Sequence, residues 1–81
     1  LPPALIITDH DMPEMNGYDM VQEIFRLNLQ TRIPIIVLSS ELNRQIIQDY
    51  TDIGVDFVFQ KPVDLSNFKN AVEKCLKRNL F

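Results

Sequence analysis

The sequence predicts an α/β fold, a parallel sheet alternating with helices, and three short apolar runs carry that prediction. They are Leu5-Ile6-Ile7, Ile33-Pro-Ile-Ile-Val-Leu38 and Val55-Asp-Phe-Val-Phe59. Each is rich in β-branched or aromatic residues, is bounded by Pro, Gly or polar residues, and is too short for a helix. After each run, apolar residues recur at the three- and four-residue spacing of an amphipathic helix. Each run also stops abruptly at a polar residue. With 81 residues, 46% of them hydrophobic, the chain reads as one small domain, residues 1–81, with no second domain, repeat or linker.

The first strand follows Pro2-Pro3 and ends in Asp9. Pro13 breaks it, Asn16-Gly17 turns the chain, and a helix is expected over residues 18–27. Met20, Val21, Ile24 and Leu27 would form its buried stripe, with Asp19, Glu23 and Arg26 on its wet face. A polar loop leads to the second strand, which Pro34 opens and Ser39-Ser40 closes. A second helix, over residues 41–53, places Leu42, Ile46, Tyr50 and Ile53 on one side with Ile47 beside them, and Gly54 suits its C-cap. The third strand stops at Gln60-Lys61-Pro62. Asp64 is an N-cap for the last helix, which is expected to bury Leu65, Phe68, Val72 and Leu76, with Cys75 in the core.

Right-handed parallel connections bring the three strand ends to one edge of the sheet, where open α/β folds bind ligands. A lone Asp at a strand end is an ordinary turn former or cap. Here it would meet a hydroxyl, Ser39, and an ammonium, Lys61. That trio suits phosphoryl chemistry. A carboxylate can attack phosphorus to give an aspartyl phosphate, while Lys61 and Ser39 hold the charged phosphoryl oxygens. A second carboxylate nearby would favour Mg²⁺, which takes oxygen ligands shared with phosphate.

The residues resemble the receiver domains of two-component response regulators. The stretch from Asp9 to Gly17, DHDMPEMNG, is similar to that family's D-x-x-M-P-x-M-(D/N)-G. Pro34 to Ser40, and Gly54 to Pro62 with its K-P ending, resemble the family's next two motifs, in order and at matching separations. The resemblance implies a flavodoxin-like doubly wound parallel sheet, of which this chain would be the C-terminal three strand-helix units out of five. It implies that Asp9 is the phosphoacceptor and an Mg²⁺ ligand, with the backbone carbonyl of Asp11 as a second ligand. Ser39 would bond the phosphoryl group, Lys61 would pair with it, and a cis bond would join Lys61 to Pro62. The donor would be a histidine kinase or a histidine phosphotransfer protein, and the output a partner-binding face around Val58 and Pro62.

Two departures from the family pattern stand out. The acidic pair that completes the family's Mg²⁺ site would lie on a strand before Leu1, so the metal site within this chain is incomplete. Val58 stands where the family places a Tyr or Phe, and Phe57 and Phe59 beside it face the other way. The central strand that would flank Asp9's strand is also absent. This points to a part of a longer receiver, or to a homodimer or partner covering an apolar edge. A pseudo-receiver that binds without being phosphorylated is one alternative. A haloacid dehalogenase-type phosphatase is another, since its D-x-D, Ser and Lys motifs match superficially. His10, next to the acceptor, reads as a loop residue shaping access to Asp9.

A net charge of -3 with no basic stripe argues against nucleic acid as a partner of this segment. Lys69, Lys74, Lys77 and Arg78 suit the C-terminal part of the last helix instead. A single Cys gives no disulfide, and neither signal peptide nor membrane span is read in the sequence, so a cytoplasmic location without membrane contact is expected. The activity expected is that of a signalling module, not an enzyme.

Overall fold

A computed structural model describes residues 5–11, 19, 22, 23, 26 and 33–78. Three strands, β1 (Ile6–Asp9), β2 (Ile35–Ser39) and β3 (Phe57–Gln60), form a parallel sheet in the order β1-β2-β3. Ile6 pairs with Ile35 and Asp9 with Leu38, while Ile36 pairs with Phe57 and Ser39 with Gln60. The sheet therefore finishes as the sequence predicts, with all three polar endings on one edge.

The ladder continues past the strands. His10 N–H donates to Leu38 O at 2.8 Å, and Lys61 N–H donates to Ser39 O at 2.8 Å. At the opposite edge, Asp56 N–H donates to Ile35 O, and its carboxylate accepts from Ile35 N–H at 2.9 Å. Both ends of β2 are thus tied to its neighbour β3.

Alternation along the strands divides the core between two faces. On one face Ile35, Val37 and Val55 pack with Tyr50, and Ile6, Ile46, Ile53 and Val58 join them. On the other, Ile36, Ala71 and Cys75 pack with Leu38, Phe57, Phe59, Phe68 and Val72. Phe57 and Phe59 do face away from Val58. The middle helix (Arg44–Asp52) covers the first face and the final helix (Leu65–Arg78) the second. This is a doubly wound arrangement.

The middle helix begins later than residue 41. Asn43 caps it, its side chain accepting from Ile46 N–H at 2.9 Å, so residues 41 and 42 belong to the turn after β2. Gly54 follows with φ 98°, a left-handed turn that glycine adopts without a Cβ clash, and returns the chain to β3. In the final helix Asp64 is the expected cap, accepting from Ser66 N–H at 2.9 Å and Asn67 N–H at 3.1 Å.

Two residues expected in the core are outside it. Leu65 is 78% exposed and Leu76 41% exposed. At about 100° per residue, Phe68, Ala71, Val72 and Cys75 define the buried stripe, and Leu65 and Leu76 fall on its flank. Asp19, Gln22, Glu23 and Arg26 are helical and exposed, the wet face expected there, with Arg26 paired to Glu23 at 2.7 Å. The turn at residues 13–17 and the stripe of Met20, Val21, Ile24 and Leu27 lie outside the described residues. β1 is an edge strand among the described residues, and Ile7 on it is 47% exposed.

Candidate phosphoacceptor site

Asp9 is the last residue of β1, and Lys61 is the first after β3. The Lys61 ammonium spans the gap, donating to both Asp9 oxygens, at 2.8 Å to Oδ2 and 3.1 Å to Oδ1. It also lies 3.1 Å from Oδ2 of Asp11. Asp9 Oδ1 accepts from the Asp11 backbone N–H at 2.8 Å, and Asp11 Oδ2 accepts from Ser40 N–H at 2.6 Å. One lysine, two carboxylates and two backbone donors therefore form a continuous chain of charge-assisted bonds across the sheet edge.

The electrostatics follow from those contacts. The hydrogen bond from Lys61, and then the one from Asp11 N–H, hold the Asp9 carboxyl below its ordinary range. Asp11 is lowered first by Ser40 N–H and then by Lys61. Lys61 is raised by its bonds to Asp9 and Asp11. Asp9 is thus an open, ionised carboxylate, its side chain 44% exposed. An ionised oxygen at an open edge is what a phosphoryl acceptor requires.

Ser39 is brought to the same edge but does not reach Asp9. Its hydroxyl donates to Glu41 O and also accepts from Glu41 N–H at 3.3 Å, and the residue is fully buried. The Lys61–Pro62 peptide is cis, as the resemblance implies. Val58 is half-buried against Tyr50's cluster, and Pro62 is exposed.

Two features escaped the sequence reading. The Asp11 side chain engages Lys61, whereas the resemblance gave a role only to the Asp11 carbonyl, as a metal ligand; the D-x-D spacing, which returns a side chain to the same side two residues on, was the signal for it. The other is His10, whose Nδ1 meets the Tyr50 hydroxyl at 2.5 Å. Nothing local in the sequence marks that pair.

The parallel sheet with a helix on each face, carrying Asp9, Asp11 and Lys61 at one edge, defines a flavodoxin-like α/β domain. The chain belongs to the response regulator receiver domain family, whose match spans residues 1–73. It is 36% identical over 74 residues to the two-component response regulator ORR4 of Oryza sativa subsp. indica, covering 91% of this chain and 32% of that protein. It is 32% identical over 75 residues to the two-component response regulator ARR7 of Arabidopsis thaliana, covering 93% of this chain and 36% of that protein. The chain spans about a third of the length of these relatives. Among solved structures, the receiver domain of a histidine kinase from Syntrophus aciditrophicus matches with TM-score 0.76 and 27% identity, over 95% of this chain and 58% of that one. The chemotaxis protein CheY4 of Vibrio cholerae shares the fold, with TM-score 0.78 and 23% identity, over 90% of this chain and 61% of that one.

Proposed function

We propose that this chain is the phosphoacceptor module of a two-component phosphorelay, with Asp9 as the accepting residue. The observation that carries the reading is the Lys61 ammonium held on both oxygens of an exposed, ionised Asp9. An Asp9 oxygen attacks the phosphorus of a phosphohistidine on a histidine kinase or phosphotransfer protein. The P–N bond breaks, its electron pair returns to the imidazole, which takes up a proton, and an acyl phosphate remains on Asp9.

Lys61 exchanges an Asp9 oxygen for the phosphoryl oxygens, and Ser39 turns from Glu41 O to donate to the same group. Both residues then hold different partners in the two states, which is what a switch needs. Val58 and Pro62 lie where the response would meet a partner. Asp9 and Asp11 present hard oxygen atoms at one open edge, the donor chemistry that suits a hydrated Mg²⁺. The Asp9 carboxylate and the Asp11 backbone carbonyl would hold it, and when bound it neutralises phosphoryl charge.

Receiver domains are signalling modules, and this one would act through its partners. No helix among the described residues is long and apolar enough to cross a membrane, and we place the module in the cytoplasm. The test is intact mass after treatment with a small acylphosphate donor and Mg²⁺. A gain of about 80 Da, one phosphoryl group, that is lost in Asp9→Asn is expected. Equal labelling of Asp9→Asn would sink the assignment.

A further inference from the structure

Tyr50 is the largest fully buried side chain among the described residues, 1% exposed, yet its hydroxyl leaves the core to meet His10. The two rings also touch edge to face, with centroids 5.5 Å apart at 83°. Each partner is fixed at its other end. The Tyr50 ring packs with Ile35, Val37 and Val55, in the cluster that Val58 joins, and its carbonyl accepts from Val55 N–H at 3.0 Å. His10 is peptide-bonded to Asp9 and Asp11, and its N–H is bonded to Leu38 O.

We propose that His10 and Tyr50 are positioning residues that couple the charge state of Asp9 to the middle helix. Asp9 Oδ1 accepts from both the Asp11 N–H and Lys61, so a change in the charge on that carboxylate alters both bonds that seat the loop in which His10 stands. The imidazole then carries the displacement to a rigid phenol ring, which moves only with the helix beneath it. A ring locked by packing transmits a push where a flexible side chain would absorb it. Burial, and then the carboxylates of Asp11, Asp19, Asp49 and Asp9, push the Tyr50 hydroxyl up to about 12. It therefore stays protonated and within electrostatic reach of the acceptor. The biological use of this link rests on the phosphoacceptor reading; the link itself belongs to the unphosphorylated protein.

A double-mutant cycle in that unphosphorylated protein tests it. Asp9→Asn is combined with Tyr50→Phe, and amide hydrogen exchange is read along residues 44–52 and 65–78. Asp9→Asn is expected to change exchange in the middle helix, and Tyr50→Phe to shrink that change by roughly threefold or more. His10→Ala should do the same. His10→Asn, whose amide stands near the position of Nδ1, should restore the coupling. Additive effects overturn the proposal, as does non-additivity of equal size in the final helix, which would be global destabilisation. Because no phosphorylation is needed, a failed cycle leaves the phosphoacceptor reading intact, and failure to label Asp9 leaves the link intact.

Discussion

Under the middle helix, Ile35, Val37 and Val55 pack around a tyrosine whose polar end escapes toward the loop that carries His10. Under the final helix, Ile36, Ala71 and Cys75 pack with Phe57, Phe59 and Phe68, the first two rings stacked with centroids 6.1 Å apart and the next pair edge to face at 5.9 Å. Alternate residues of the same strands supply both faces: β3 gives Phe57 and Phe59 to one and Val58 to the other, and the helices add Phe68 to the first and Tyr50 to the second. A face closed by interlocking rings fixes the sheet; a face closed around one amphipathic side chain ties the sheet to the chemistry at its edge.

Damage to the anchoring face tests whether the site depends on it. Ile36→Ala opens a cavity at a fully buried position and should lower the free energy of unfolding by about 3 kcal/mol, read by urea denaturation. Phosphoryl uptake by the fraction that stays folded should be unchanged. A folded variant that no longer labels would mean that the two faces are not separable.

The tyrosine face responds to pH, with a smaller expected effect. Burial raises the Tyr50 phenol from its ordinary 10.0 to about 12. As pH rises, the unfolded phenol loses its proton first, so the folded state holds more protons across that window and stability falls. The contribution is complete below the unfolded value and gone above the folded one. Urea midpoints measured from about pH 9 to about pH 11 should fall more steeply for the native protein than for Tyr50→Phe. Lys61 is also raised, by Asp9 first and Asp11 next, and pushes in the same direction in both proteins, so the difference isolates Tyr50. Parallel curves would place the hydroxyl in water.

The smallest effect concerns the rim of the anchoring face. Leu76→Ser should change stability by less than about 0.5 kcal/mol, because 41% of that side chain already meets solvent. A larger loss by the same urea assay would extend the core to the flank of the final helix.

The three strands were legible because β-branched runs closed by polar residues admit few other readings, and register then follows from parallel pairing. Asp64 was legible as a cap because its side chain serves the next turn, a purely local matter. Asn43 was missed for a related reason: glutamate and leucine before it continue a helical pattern happily, and only the cap geometry sets the start. Leu65 and Leu76 were misjudged because periodicity defines the centre of a stripe better than its width. At the site, Asp9 and Lys61 could be brought together by topology alone. Their distances, the turn of Ser39 onto Glu41 and the meeting of His10 with Tyr50 across 40 residues depend on side-chain directions that no local pattern encodes.

The bonds from His10 to Leu38 and from Lys61 to Ser39 hang both sides of the reactive edge from one central strand. Motion of β2 along its own axis is therefore a common-mode disturbance, carrying Asp9 and Lys61 together and cancelling in the distance between them. A phosphoryl group on Asp9, as proposed above, would enter on one side alone, and the displacement it causes would not cancel.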